Sequence, residues 1–322
     1  MPIPSPPLPP VLCLMGPTAC GKTAVAAELV ETLPFSIISV DSALVYKGLD
    51  IGSGKPDAAL LARAPHRLID IRDAAQPYSA ADFRRDALQA IHEVQQEGRI
   101  PLLVGGTMLY FKVLRDGLAS MPAATPEIRA RILEQARAHG WPALHQRLQQ
   151  VDPEAAARIH PNDPQRLQRA LEVFESSGQA LTTLHRDSQE SPSLPFQLIF
   201  LGMIPQDRKA LHAQIERRFH NMLEQGLVEE VRRLHERQDL DASLPAIRAV
   251  GYRQVWEYLE GQTDHATMVD KAIAATRQLA KRQLTWLRSW RELHEIPCGL
   301  SDEDTKSVTQ YLKSLNSNSI YW

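Results

Sequence analysis

The stretch VLCLM-GPTACGKT-AVAAELVETL, residues 11–33, restricts the fold more than any other part of the chain. An apolar run turns through glycines into a helical pattern. Residues 16–23 match G-x-x-x-x-G-K-[ST] at each fixed position. A strand that ends in such a loop and opens a helix is the first unit of a parallel sheet. Glycines let successive N–H groups converge on an anion, and the helix N-terminus adds partial positive charge. Gly16, Pro17, Thr18, Ala19, Cys20, Gly21, Lys22 and Thr23 therefore read as one phosphate cradle. Lys22 supplies a full charge to phosphate oxygens, and Thr23 is placed to hold Mg2+. The motif fits a polyphosphate tail without specifying a nucleotide. ATP and GTP are the usual occupants of such loops, so a kinase or NTPase is the default reading.

Further apolar runs at 36–40, 67–71, 101–105 and 197–204 read as strands, with helical patterns at 22–33 and 80–97 between the early ones. Strands alternating with helices predict an α/β fold: a P-loop NTPase-like parallel sheet flanked by helices. The pattern changes after about residue 118. Residues 126–190 are rich in Ala, Arg and Gln, helical in period and without a strand signal. Thr125-Pro126 and Asn162-Asp163-Pro164 read as helix starts. The expected division is a core of residues 1–119 and 193–322 with an inserted all-helical subdomain over 120–192. Helices are expected over 207–237 and 267–291. Residues 1–9 and about 300–322 are expected to be poorly ordered.

Composition narrows the function classes. Apolar residues make up 43% and charged residues 23% of 322, which suits a globular protein. No apolar run approaches the roughly 18 residues of a membrane helix, so no membrane partner is expected. The opening MPIPSPPLPP reads as a Pro-rich tail and not as a secretion signal. Three cysteines without metal spacing make zinc and disulfides poor expectations and point to the cytoplasm. A formal net charge of −2 argues against a broadly basic nucleic-acid binder. One stretch departs from that balance: RQLAKRQLTWLRSWR (277–291) carries five cations and no acid.

Ligands of a parallel sheet lie beyond the carboxyl ends of its strands. Asp41 follows the second strand, and Thr107 follows the fourth through Gly105-Gly106. Both are expected to face the cradle's occupant. Asp41 suits a general base, a metal ligand or a helix cap. Thr107 suits a phosphate contact or a cap equally.

These pieces together resemble the bacterial tRNA dimethylallyltransferases (tRNA isopentenyltransferases). The matching stretches include GPTACGKT, SVDSALVYKGLDIGSGKP (39–56), GRIPLLVGGTMLYFKVL (98–114), NDPQRLQRALEV (162–173), RAVGYRQ (248–254) and LAKRQLTWLR (279–288). Cys20 departs from the serine usual in the family. The resemblance implies that the cradle holds the diphosphate of dimethylallyl diphosphate. The allyl group would pass to N6 of adenosine 37, beside the anticodon in the tRNA anticodon stem-loop, with Mg2+ as cofactor. The sequence carries no firm sign of oligomerisation, so a monomer is the default expectation. It assigns catalysis to Asp41, Thr107 and Lys22. It assigns tRNA contact to Asp41, Ser42, Ala43, Leu44, Thr107 and Arg129, and to Gln165, Arg166, Leu167, Gln168 and Arg169. Arg248, Gly251, Tyr252 and Arg253, then Lys281, Arg282, Gln283, Trp286 and Arg288, complete that set. On helix geometry Arg277, Lys281 and Arg288 fall within about 40° of one another. Trp286 suits either base stacking or a core position with Trp290. The other readings are a small-molecule kinase, a transferase acting on free AMP, and a catalytically silent RNA-binding module.

Overall fold

The computed structural model describes residues 8–118, 121, 125–187 and 193–299. Most of the two tails expected to be poorly ordered, 1–7 and 300–322, lies outside the described residues. Among the described residues six strands form one sheet: β1 (Pro10–Met15), β2 (Phe35–Val40), β3 (His66–Arg67), β4 (Ile100–Gly105), β5 (Gln197–Pro205) and β6 (Leu293–Cys298). Their order is β3-β2-β4-β1-β5-β6, and every pair is parallel. β1 and β4 are neighbours at the centre, and their chains leave in opposite directions, toward β2 and β5. That reversal is where α/β sheets open a crevice for ligands.

The strands are apolar on both faces because both are covered. Val11, Cys13 and Met15 of β1 join one apolar cluster, with residues of α3 (Ala80–Gln96), α4 (Met108–Asp116), α10 (Leu227–His235), α11 (Tyr252–Leu259) and α12 (His265–Arg288). Leu12 and Leu14 join the other, with Val25, Ala26 and Leu29 of α1 (Lys22–Thr32). α2 (Ala58–Arg63) and α9 (Arg208–Glu224) complete this unit, whose described residues are 8–115 and 194–299.

Two expectations are corrected, and one strand is added. The strand expected over 67–71 pairs only at His66–Arg67, because Leu68 (φ 62°) and Asp70 (φ 55°) take left-handed conformations that end the pleat. The helix expected over 207–237 is two, α9 and α10, broken at Gly226 (φ 97°). β6 lies in a tail that shows little pattern. Its sequence LHEIPC mixes His, Glu and Pro among apolar residues because β6 is an edge strand with two buried residues.

The second compact unit is Asp116–Ser193. Its described residues form α5 (Pro126–Val151), α6 (Pro153–Arg158), α7 (Pro164–Ser177) and α8 (Leu181–Asp187). Thr125 caps α5 through the Ile128 amide, with Pro126 at the first helical position. Gly140 (φ 76°, ψ 160°) breaks α5, two residues before Pro142. Ile132, Leu144, Leu148, Leu167 and Leu171 form its own core. Buried carboxylates tie its helices. Glu172 accepts from Arg129 at 2.9 Å and Gln168 at 2.8 Å, while Glu175 pairs with Arg131 and with Arg147 at 2.7 Å.

Candidate active site

The 16–23 loop leaves β1 at Met15 and enters α1 at Lys22. Gly16 is required by space: a Cβ there would meet Cys20 Sγ at 2.8 Å. Gly21 is required by conformation, since it opens α1 at φ 86°. Ala19 holds a left-handed φ of 63° without being glycine, which costs on the order of 1 kcal/mol. It packs against Leu211 and Ile215 of α9 and Ala280 of α12. Lys22 reaches across the loop, its Nζ donating to the Pro17 carbonyl at 2.6 Å. The side chain of Thr23 is exposed, and its hydroxyl makes no hydrogen bond among the described residues.

Asp41 follows β2. Its Oδ1 accepts from the Ala43 amide at 2.8 Å and the Leu44 amide at 3.4 Å. Residues 42–45 form turns, so Asp41 caps no helix. Oδ2 makes no hydrogen bond among the described residues. Thr107 Oγ1 accepts from the Ser42 amide at 3.1 Å instead of capping α4, which begins at the next residue. That bond joins the β2 and β4 ends, as does the Thr107 amide on the Val40 carbonyl at 3.3 Å. Gly105 permits this approach, because a Cβ there would meet the Val40 carbonyl oxygen at 2.0 Å.

Arg218 of α9 is the residue that motif reading misses. Nη1 donates to Thr18 Oγ1 and Nη2 to the Ser53 carbonyl, each at 3.3 Å. No carboxylate pairs with it among the described residues. Burial pulls its pKa down, while the negative charge of Asp41 opposes that shift. Gly54 makes room for it, since a Cβ at 54 would meet Nη2 at 1.8 Å. The sequence does carry a signal. Arg218 stands seven residues after Leu211, on the apolar stripe of its own helix.

Ser53 is itself braced. Glu230, 3% exposed, accepts from the amides of Asp50, Ile51 and Gly52 at 2.8–3.1 Å and from the Tyr252 hydroxyl at 2.6 Å. The same hydroxyl accepts from the Ser53 amide at 3.1 Å. Tyr252 is therefore an internal strut, and its fully buried side chain is closed to a surface ligand. Leu167 is likewise a core side chain of the helical unit. Gln283 is buried, its amide spent on Thr18 and Gly106.

The remaining sequence candidates separate by exposure. Ser42, Arg248, Arg253, Lys281, Arg282 and Arg288 are exposed, with Ala43 and Leu44 half-buried; Gly251 is buried. Arg277 pairs with Glu216 of α9 at 2.6 Å, so the cationic side of α12 narrows to its last two turns. Trp290 is core, packed on Phe200, whereas Trp286 is 37% exposed. In the helical unit, Gln165 and Arg166 are exposed. Arg129 and Arg169 lean on the buried Glu172.

A parallel sheet whose central strand ends in a glycine-cornered loop, with an arginine bonded to that loop and an acid near enough to act on the arginine, is of the P-loop-like α/β class. Residues 44–290 match the IPP transferase family, and the chain belongs to that family. Among solved structures it is similar to the full-length tRNA isopentenylpyrophosphate transferase of Bacillus halodurans, at 33% identity over 94% of this chain and 95% of that one, with a TM-score of 0.67. It is similar also to the tRNA Δ2-isopentenylpyrophosphate transferase of Staphylococcus epidermidis, at 29% identity over 95% of this chain and 99% of that one, with a TM-score of 0.66. A eukaryotic dimethylallyltransferase acting on tRNA shares the fold, with a TM-score of 0.80 at 24% identity over 97% of this chain and 80% of that one. No described helix is long and apolar enough to cross a membrane.

Proposed function

We propose that the protein transfers a dimethylallyl group from dimethylallyl diphosphate to N6 of adenosine 37, beside the anticodon of tRNA, and releases diphosphate. Membership of the IPP transferase family supports the donor class. The likeness to tRNA isopentenylpyrophosphate transferases supports a tRNA acceptor. The observation that carries the reading is Asp41: one oxygen is held by two turn amides, the other is left for a proton, and its charge acts on Arg218, which bonds Thr18 of the loop suited to diphosphate.

The exocyclic amine of adenine is a weak nucleophile because its lone pair is delocalised into the ring. Asp41 Oδ2 accepts the N6 proton as the N6–C1 bond forms. The C1–O bond breaks in the same step, and its electron pair leaves with the diphosphate. Negative charge grows on that leaving group. Lys22, Arg218 and the loop amides are the fixed positive groups that offset it. Thr107, bonded to Ser42, holds the turn that aims Asp41. The target base must leave its stack to reach Asp41. Ser42, Ala43 and Leu44 flank that point, and Arg248, Arg253, Lys281, Arg282 and Arg288 offer charge to the tRNA backbone.

Thr23 fits an Mg2+ role. Its hydroxyl is exposed next to Lys22, and no cluster of three or more acidic, His or Cys side chains forms a protein metal cage among the described residues. Thr23 and the donor's own phosphate oxygens would hold the ion, as Mg2+ prefers few protein ligands. When bound it would withdraw charge from the diphosphate. A monomer in the cytoplasm is the simplest setting for this reaction.

The test is Asp41→Asn. Transfer is expected to fall on the order of a hundredfold or more, with pyrophosphate affinity close to wild type. Loss of both together would make Asp41 a structural or metal-binding residue and remove the general base from this scheme.

A further inference from the structure

Gln283 sits on α12 between the exposed Arg282 and the half-buried Leu284, two residues after the exposed Lys281. Its own side chain turns inward and is 7% exposed. Oε1 accepts from the Thr18 amide at 2.8 Å, and Nε2 donates to the Gly106 carbonyl at 2.9 Å. One carboxamide thus closes two loops that leave adjacent strands, β1 and β4. The fit is tight: a Cβ on Gly106 would approach Nε2 to 2.3 Å.

Two consequences follow from those bonds. The Thr18 amide is turned toward α12, so the first turn of the 16–23 loop is set by Gln283, while the Thr18 hydroxyl faces Arg218. The Gly106 carbonyl is fixed one residue before Thr107, whose hydroxyl holds the Ser42 amide beside Asp41. The carboxamide cannot reverse, because a flip would set donor against donor at Thr18 and acceptor against acceptor at Gly106.

We propose that Gln283 is a positioning residue for the donor side of the reaction. It acts through Thr18 on the loop that holds the diphosphate and through Gly106 on the Thr107–Ser42 turn, and it does not contact tRNA. This deepens the reading of residues 16–23 as a diphosphate cradle and rests on it. Adjacent residues of α12 then serve different substrates: Gln283 the donor, Lys281 and Arg282 the tRNA.

The experiment measures pyrophosphate binding in the presence of Mg2+ by calorimetry, tRNA binding by filter retention, and steady-state kinetics with both substrates. Gln283→Glu keeps the acceptor for Thr18 but opposes an oxygen to the Gly106 carbonyl. Gln283→Met keeps the length and removes both polar atoms, and thermal melting establishes that each variant is folded. Both are expected to weaken pyrophosphate binding on the order of tenfold and to lower kcat, with tRNA affinity within about twofold of wild type. Lys281→Glu is expected to do the reverse. Weakened tRNA binding with unchanged pyrophosphate affinity in the Gln283 variants would overturn the proposal, as would folded variants that match wild type in all three measurements. Lys22→Ala separates the two readings. If it binds pyrophosphate like wild type, the cradle assignment itself fails; if its binding is lost, the Gln283 variants judge the positioning role alone.

Discussion

Tyr252→Phe removes one oxygen from a fully buried ring. That oxygen donates to Glu230 at 2.6 Å and accepts from the Ser53 amide at 3.1 Å. Burial and the neighbouring carboxylate push the phenol pKa well above its ordinary value, so it remains a donor at any working pH. A hydrogen bond to a charged group contributes about 1.5–3 kcal/mol, and an orphaned buried amide costs about 1–3 kcal/mol. Water has little room to substitute, because the Tyr252 ring would lie 2.7 Å from a Cβ on Gly52. The two contributions share one loop and do not add fully, which leaves about 3 kcal/mol of local stability. Hydrogen exchange followed by mass spectrometry on the 49–54 segment reads this directly. Amides in that segment are expected to exchange on the order of a hundredfold faster in the variant. Pyrophosphate binding should weaken too, since the Ser53 carbonyl holds Arg218, while tRNA affinity should not change. Unchanged exchange together with weaker tRNA binding would refute this reasoning and return Tyr252 to the tRNA contacts.

Arg218→Gln keeps a donor for Thr18 or Ser53 and removes the charge, so pyrophosphate affinity and kcat should both fall at least tenfold in calorimetry and kinetics. Equal affinity would make Arg218 a loop brace only. In the helical unit, burial pushes the Glu175 carboxyl up, but hydrogen bonds from Arg131 and Arg147 outweigh it and hold the pKa below its ordinary value. A carboxyl held low stabilises the fold fully above its unfolded pKa of about 4.3. That contribution is lost as pH falls through the folded value. Acid unfolding monitored by circular dichroism should therefore show a shallower low-pH limb for Glu175→Gln, and an unchanged limb would remove Glu175 from the ledger.

The centre of the sheet was legible from sequence because β1, β2, β4 and β5 are covered on both faces and read as nearly all-apolar runs. β6 was not, since an edge strand needs no such run and Leu293–Cys298 mixes His, Glu and Pro into it. β3 was overdrawn because apolar content does not report the left-handed turns at Leu68 and Asp70. In the site, the loop residues, Asp41 and Thr107 follow from motif and topology, since strand ends converge. Arg218, Glu230 and Gln283 do not, because each reaches its place through a helix whose register against the sheet is a tertiary fact. Tyr252 and Gln283 illustrate a related limit. Both stand in motifs implied to touch tRNA, yet each motif contains side chains turned inward beside others turned out. Only the packing separates the two kinds.

The central claim is donor and acceptor identity. Purified protein would be given radiolabelled dimethylallyl diphosphate and Mg2+, with unmodified tRNA in one reaction and AMP in another. Label is expected in tRNA alone, at the adenosine beside the anticodon, and to disappear with Asp41→Asn. Label in AMP would contradict the tRNA acceptor while keeping the transfer chemistry, and label in neither would contradict the account as a whole.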